Sequence, residues 1–239
     1  MASYHLSIKS GKKGSAVNHS QYIAREGKHG KDDKQSDLIA TWHGNLPAWA
    51  NEKPTEFWRM ADKFERVNGA AYREYELALP SELSLEQQKE ILNEFVQSEI
   101  GTKPYQLAIH SPIAALGGIY QPHTHIMVSD RIPDEIERLP EKHFIRYNSS
   151  APAKGGCRKD SGGKERGVLR EALLATRAKW ANIQNGALEQ NEHEARVDHR
   201  SNKARGIETQ PERHLGRLGI KKMSTEEKAS YKDNRLKAE

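Results

Sequence analysis

The sequence lacks any long apolar run, and it contains a single cysteine. No segment approaches the roughly 20 apolar residues that a membrane-spanning helix needs, and the N-terminal residues lack the apolar core of a signal peptide. These absences predict a protein of the cytoplasm. Cys157 has no second thiol with which to form a disulfide or a zinc site. We therefore expect it to be a spare, exposed thiol.

Apolar residues are scarce for a chain of 239 residues: 35% are hydrophobic and 30% are charged. This polarity predicts a large surface that faces solvent or nucleic acid. The charges are also segregated, because residues 151–239 carry 20 Lys and Arg against 13 Asp and Glu, whereas residues 1–150 carry 18 against 20. No acid precedes Glu26. Such segregation suits a polyanion held by basic segments around a less charged body.

Alternating and helical periodicities predict one main domain that mixes strands and helices. The predicted elements are, in order, a strand at 4–9, helices at 18–26 and 55–68, a strand at 72–79, a helix from residue 84, strands at 105–110 and 123–129, and a long helix at 168–190. Ser84 and Gln87 have the spacing of a capping box. Gly27 is placed to end the second element in a left-handed conformation. Residues 28–37 and 151–167 are expected to be loops, and residues 223–239 to fray or project.

Five polar side chains fall on one face of the predicted sheet. Successive residues of a strand point to opposite faces. Glu74 and Glu76 therefore share a face, as do His123 and His125, and His110 points away from its apolar neighbours. If the apolar sides all pack under helices, the opposite face gathers these three histidines and two glutamates.

Three imidazoles on adjacent strands suggest a metal site. Three neutral imidazoles leave coordination positions free on a divalent cation, which is typical of a catalytic rather than a structural site. The residues alone leave the alternatives open: the histidines can be satisfied or exposed, Glu74 and Glu76 can be solvated strand residues, and Tyr22 can be an aromatic core residue of its helix.

Seven runs of the sequence, taken in order, resemble the MobA/MobL relaxases of mobilisable plasmids over about residues 1–216, nearest the MobA proteins of small broad-host-range plasmids. The runs are YHLSIKSG, QYIAREGK, FERVNGAAYREYELALP, PYQLAIH, PHTHIMVSDRI, RYNSSAPAKGG and ARVDHRSNKARGIETQPERHLG. The resemblance implies the HUH relaxase fold: an α+β domain with an antiparallel β-sheet flanked by helices and a helical C-terminal extension. It also implies a relaxase domain at 1–216 followed by a charged tail at 217–239.

The resemblance further implies which residues do the chemistry. Tyr22 matches the nucleophilic tyrosine of the family. The matches to its metal ligands are His110, His123 and His125, and the matches to its acidic pair, with a supporting role, are Glu74 and Glu76. Family members use Mn or Mg ions, and a site of three imidazoles also accepts Zn.

The implied activity is metal-dependent, site- and strand-specific nicking of a plasmid transfer origin, which gives a 5′-phosphotyrosyl DNA that is religated after transfer. The implied partners are the single-stranded DNA and hairpin of the origin, accessory mobilisation proteins and a conjugative secretion system. The protein would work in the bacterial cytoplasm and enter the recipient cell as a DNA adduct. The residues expected to bind phosphates are Lys9, Lys12, Lys13, Arg25, Arg200, Lys203 and Arg205, although Asp198 can instead pair with Arg200 or His199.

Two other functions fit part of the pattern. Rolling-circle replication initiators of the HUH class share the chemistry but generally place the tyrosine after the histidine pair, whereas Tyr22 precedes it. A metal-stabilised DNA-binding protein without catalysis is the second alternative. Many relatives continue into primase or helicase domains, so the chain is either a compact relaxase or the N-terminal domain of a longer protein.

Overall fold

The computed structural model describes residues 4–31, 37–114, 118, 120–208 and 216–238. The strands are β1 (Leu6–Lys12), β2 (Leu38–Gly44), β3 (Ala70–Ala78), β4 (Tyr105–His110), β5 (His123–Val128), β6 (Arg131–Ile132) and β7 (Arg158–Lys159). The helices are α1 (Ala16–Ile23), α2 (Pro54–Phe64), α3 (Leu85–Phe95), α4 (Pro140–His143), α5 (Arg166–Gln190), α6 (Gly216–Lys222) and α7 (Thr225–Ala238).

Five strands form one sheet in the order β1-β3-β5-β4-β2, and every neighbouring pair is antiparallel. The strands β6 and β7 pair separately as a short antiparallel ladder. Helices cover both faces of the five-stranded sheet. The predicted α+β class with an antiparallel sheet flanked by helices is therefore confirmed.

One face of the sheet packs against α3 and α5. Leu107 and Ile126, at the centre of this face, are completely buried, as are Phe95 of α3 and Trp180 of α5. Alternate residues of β3, β4 and β5 are large and apolar, and this alternation places Leu77, Leu107 and Ile126 on the face that the two helices cover.

The opposite face carries the histidines and also a second core. The helices α1 and α2 pack here, and Phe57 and Trp58 of α2 are completely buried with Ala108 and Met127 of the sheet. The expected polar face is therefore polar mainly near the ends of β4 and β5 that carry histidines. Towards the other end it is closed by aromatic packing.

Strand β2 was not predicted. Its seven residues follow a polar segment, and their alternation is broken by an irregularity between Leu38 and Ala40. Ala40 and Trp42 contact the first core, whereas Leu38 contacts the second. A bulge of this kind shifts side chains from one face to the other, which hides the period-two pattern of a strand.

Helix boundaries agree with the sequence where local capping determines them. The Ser84 side chain accepts a hydrogen bond from the backbone of Gln87, and the Gln87 side chain returns one to Ser84, as the capping box predicts. Helix α1 ends earlier than expected, because Arg25 already has a left-handed φ of 54° before Gly27 with 57°. Residues 223–239 were expected to fray or project, and α7 shows that most of this segment is helical.

Both predicted loops contain short stretches of regular structure. Gly27–Lys31 forms a 3₁₀ helix, and residues 32–36 lie outside the described part of the chain. In the second loop, Cys157 is 3% exposed, so the prediction of an exposed thiol is wrong. The loop folds back on the protein, and the Cys157 sulfur lies 3.5 Å from Nδ1 of His143. Within the described residues, no helix has the length and apolarity required to cross a bilayer.

A buried hydrogen-bond network joins both helices of the second core to β4. Oε1 of Gln106 accepts hydrogen bonds from the Ser20 hydroxyl of α1 at 2.7 Å and from Nε1 of Trp58 of α2 at 2.9 Å. All three side chains are at most 4% exposed. The network therefore fixes α1 and α2 relative to the sheet.

We expect Gln106→Leu to lower the free energy of unfolding by about 3 kcal/mol, because it leaves two buried donors unpaired at about 1–3 kcal/mol each. Urea denaturation measures this change. The control is Ser84→Ala, which removes an exposed helix cap at a cost of about 1 kcal/mol. A loss from Gln106→Leu no larger than that of the control would mean that the network does not fix the helices.

Candidate metal centre and nucleophile helix

The three predicted histidines converge at one end of β4 and β5. His110 and His123 are direct partners in the antiparallel ladder, and His125 follows two residues later on the same face. One ring nitrogen from each residue can be chosen so that all three lie within 4.8 Å of one another. This arrangement is compact enough to hold one cation, as the sequence predicted.

In each of the three imidazole rings, one nitrogen donates a hydrogen bond to a protein oxygen. His110 Nε2 donates to the Ile23 carbonyl at 2.7 Å, His123 Nδ1 to the Gln121 carbonyl at 3.0 Å, and His125 Nδ1 to Glu74 at 2.7 Å. Such bonds fix the tautomer and orientation of metal-binding imidazoles. They leave His110 Nδ1 and the Nε2 atoms of the other two rings as the ligand atoms. The donor set fits a divalent cation with coordination positions left open.

The surroundings favour the neutral form of two of the three histidines. Burial lowers the pKa of His110 to about 4, and the positive charge of Arg25 adds to this effect. Burial also lowers the pKa of His123 below its ordinary value. Because a metal binds the neutral imidazole, lowered pKa values keep these two ligands available in mildly acidic solution.

Glu74 lies behind the cluster and is shared by two imidazoles. Its Oε1 accepts from His125 Nδ1 and, at 2.6 Å, from Nε2 of His19 on α1. Burial alone would raise the pKa of Glu74, but the two hydrogen bonds outweigh it and hold the pKa well below the usual range of a carboxyl group. Glu74 is therefore an anion that joins α1 to the histidine strand.

Helix α1, which carries Tyr22, is held at both ends. At its N-terminus, the Asp62 carboxylate of α2 accepts from the backbone N–H groups of Gly14, Ala16 and Val17 at 2.7–3.0 Å. An anion at this position also compensates the positive end of the helix dipole. At its C-terminus, the Ile23 carbonyl is bonded to His110.

Tyr22 is half-buried: it packs against the edge of the second core, and the carbonyl of the next residue, Ile23, is bonded to His110. The Tyr22 ring stacks with His19 at a centroid distance of 6.0 Å and meets His29 edge-on at 5.5 Å. His19 in turn lies 6.4 Å from His125 and stacks on Tyr72 at 5.2 Å. His19 was not identified from the sequence. The sequence offers one signal for a role of His19: it lies three residues before Tyr22, which places the two side chains on the same side of a helix.

Arg25 does not have the place expected of a phosphate ligand. It is buried, its guanidinium forms two hydrogen bonds of 2.9 Å with Asp37, and it donates to the Tyr22 carbonyl at 2.6 Å. Its guanidinium carbon also lies 4.7 Å from the centre of the Tyr22 ring. Arg25 thus supports the end of α1 that carries Tyr22, and it is not placed to bind DNA.

The other acidic and basic candidates include both ion-paired and exposed side chains. Glu76 is not bonded to a histidine of the cluster: its carboxylate pairs with Lys9 at 2.6 Å. Lys12 is exposed and Lys13 partly so. In the C-terminal third, Arg200 lies 2.8 Å from Asp198, which is the pairing that the sequence offered as an alternative to phosphate binding. Arg205 lies 3.4 Å from the same carboxylate, and Lys203 is exposed.

We expect the metal affinity to resist acid. Three imidazoles of ordinary pKa would lose about a thousandfold in affinity between about pH 7.5 and about pH 5.5, at about tenfold per ligand for each pH unit below its pKa. Because the pKa values of His110 and His123 are lowered, titration calorimetry with Mn²⁺ should show a loss below about a hundredfold over this range.

Two variants test the assignment of the ligands. His123→Ala removes one ligand and should strongly weaken Mn²⁺ binding, whereas His43→Ala, on β2 away from the cluster, should retain it. Equal affinities in the two variants, or a thousandfold loss in the wild type at acidic pH, would contradict the proposed ligand set.

Comparisons with known proteins agree with this geometry. The chain is 52% identical over 209 residues to a "43 kDa relaxation protein" of Salmonella typhimurium, covering 87% of this chain and 56% of that protein. It is 42% identical over 221 residues to "Mobilization protein A" of Escherichia coli, covering 90% of this chain and 30% of that protein. The chain thus spans about half or less of the length of these relatives.

A solved structure described as "Molecular Basis of Vancomycin Resistance Transfer in Staphylococcus aureus" has the same fold. It superposes with a TM-score of 0.61 at 22% identity, and the match covers 84% of this chain and all of that one. The family model described as "MobA/MobL family" matches residues 17–226, a span that includes Tyr22, the three histidines and the long helix α5. This chain belongs to the MobA/MobL family.

Proposed function

We propose that this chain is a relaxase domain that nicks one strand of a plasmid transfer origin with the Tyr22 hydroxyl as nucleophile. The observation that carries the proposal is the direct attachment of α1 to the histidine cluster, through the bond from His110 to the carbonyl of the residue after Tyr22. Relatives named as relaxation and mobilisation proteins support the same function.

In the proposed step, the Tyr22 oxygen bonds to phosphorus while the bond from phosphorus to the 3′ oxygen breaks. The phenol loses its proton and the leaving oxygen gains one, which gives a 5′-phosphotyrosyl DNA and a 3′-hydroxyl. The phosphotyrosyl linkage is itself a phosphodiester, so the 3′-hydroxyl of the transferred strand can attack it and religate the DNA. Passage into a recipient cell through a conjugative secretion system, with accessory mobilisation proteins, belongs to the same proposal.

The histidines would hold a Mn²⁺ or Mg²⁺ ion, although three imidazoles also accept Zn²⁺. When bound, the ion supplies positive charge beside the scissile phosphate and makes phosphorus more electrophilic. The protein fixes the orientation of the three rings through the acceptors of Ile23, Gln121 and Glu74.

His19 and Glu74 act as positioning residues in this proposal. Glu74 binds His125 on one side and His19 on the other, and His19 stacks on Tyr22. The nucleophile and one metal ligand are therefore oriented by the same carboxylate. Glu76, by contrast, holds Lys9 at the edge of the site, where the lysine ammonium is available to a neighbouring phosphate.

Tyr22→Phe removes the nucleophile and should abolish covalent chemistry. With Mn²⁺ and an oligonucleotide of the transfer origin, the wild type should form an adduct that survives a denaturing gel, and Tyr22→Phe should form none. Tyr105→Phe, which changes a phenol at the far end of β4, serves as the control and should retain the adduct.

The same gel separates the alternatives. An adduct from Tyr22→Phe would remove Tyr22 from its role. DNA binding by the wild type without an adduct would favour a non-catalytic DNA-binding protein. A rolling-circle initiator is disfavoured because Tyr22 precedes the histidines in the chain.

His19→Ala should slow adduct formation at saturating DNA by about tenfold or more, since a misplaced nucleophile costs rate and not ground-state binding. The affinity for DNA should change little, so the effect appears in the rate constant and not in the half-saturating concentration. His19→Gln keeps an N–H donor for Glu74 and should recover part of the rate. Equal rates for His19→Ala and the control His43→Ala would contradict the positioning role.

A further inference from the structure

A cavity of about 350 Å³ lies outside the histidine site, beside the ladder of β6 and β7. Five cationic side chains and one phenol line it: Arg66, Arg131, Arg146, Arg158, Lys159 and Tyr147. Arg146 and Tyr147 begin the run RYNSSAPAKGG, to which the proposed nicking reaction gives no role. The cavity therefore offers a second place where this chain can recognise a ligand.

The positive charge of this cavity is not balanced. Glu65 is the one described carboxylate within ion-pairing distance of the five cations, at 2.9 Å from Arg131, 3.1 Å from Lys159 and 3.9 Å from Arg66. Arg146 and Arg158 have no carboxylate at that distance within the described part of the chain, and both are exposed. Burial lowers the pKa of Lys159, although the charge of Glu65 opposes this effect. An anion bound here would neutralise an existing excess of charge.

The segment that forms one wall of the cavity, residues 144–157, is held by hydrogen bonds within the protein. The guanidinium of Arg131 is 3% exposed and donates to the carbonyls of Phe144, Ile145 and Cys157. Arg138 binds the carbonyls of Gly155 and Pro152 in the same way.

The chain folds back so that Gly156 lies against Ile145 and Arg146, and this requires a close approach of the two backbones. The Gly156 amide donates to the Arg146 carbonyl at 3.1 Å, and a Cβ at Gly156 would lie 2.3 Å from the Ile145 carbonyl oxygen. Two buried arginines and one glycine thus hold the segment that presents Arg146. A pre-organised wall of this kind loses little entropy when it binds.

The cavity and the histidine cluster lie at opposite ends of the same central strands. Strand β5 begins at His123 and ends at Val128, three residues before Arg131, and Lys159 donates to the carbonyl of Ala70, the first residue of β3. Five residues of strand span about 17 Å. A few nucleotides of extended single-stranded DNA cover such a distance.

We propose that this cavity binds a backbone phosphate of the DNA strand, a few nucleotides away from the bond that is cut. Arginine guanidinium groups match the geometry of phosphate oxygens, and Tyr147 offers an aromatic face to a neighbouring base. The inference rests on the proposed function only in taking DNA as the substrate.

The test measures binding without nicking, in a Tyr22→Phe background. Fluorescence anisotropy with a labelled oligothymidylate gives the dissociation constant over a range of salt concentrations. Arg146→Gln combined with Arg158→Gln should reduce the slope of log affinity against log salt by about 0.7, the value for one phosphate contact to a single strand. The control is Arg166→Gln combined with Arg170→Gln, which removes two exposed arginines of α5 and should leave the slope unchanged.

Inorganic phosphate serves as the competing probe against chloride at the same ionic strength. We expect it to displace the oligothymidylate no better than chloride does. Three results would overturn the proposal: an unchanged slope in the Arg146 and Arg158 variant, an equal change in the control, or specific displacement by phosphate, which would indicate a site for the free ion. Adduct formation by the wild type is measured separately, so failure of the nicking proposal is distinguishable from failure of this one.

Discussion

Helix α1 has eight residues, too few to be stable in water through its own hydrogen bonds, so its position depends on side chains from other elements. Asp62 binds its first N–H groups, Gln106 binds Ser20 in its middle, Glu74 binds His19, and His110 binds its last turn. Two of these four partners, Asp62 and Glu74, are carboxylates, and hydrogen bonds to charged groups stabilise more than neutral ones. The orientation of Tyr22 is therefore a property of the whole second core and not of its helix.

The sequence predicts the parts of the site that follow from strand geometry. Alternation alone places His110, His123 and His125 on one face, and the antiparallel register then makes His110 and His123 direct partners. The capping box of α3 follows from local chemistry in the same way. Strand β2 could not be predicted, because its bulge at Leu38 breaks the alternation on which the prediction depends.

Charge partners are the part of the site that composition does not reveal. Arg25 and the lysines near the N-terminus are equivalent in the sequence, yet Arg25 is buried against Asp37 while Lys12 is exposed. Cys157 likewise lies in a polar, glycine-rich segment, and only the tertiary contacts of Arg131 and Arg138 explain why that segment packs inward. Pairings between residues distant in sequence depend on topology, and the alternation within a single strand carries no information about them.

The bond between His110 and Ile23 links two equilibria. His110 has its Nε2 proton committed to the backbone of α1, so its Nδ1 is the atom left for a cation. Coordination at Nδ1 would draw electron density from the ring and make the Nε2 proton a stronger donor to the Ile23 carbonyl. Cation binding and order in the last turn of α1 would then be thermodynamically coupled. A bound cation would stabilise the turn that presents Tyr22, and a more ordered turn would in turn raise the affinity of the histidines for the cation.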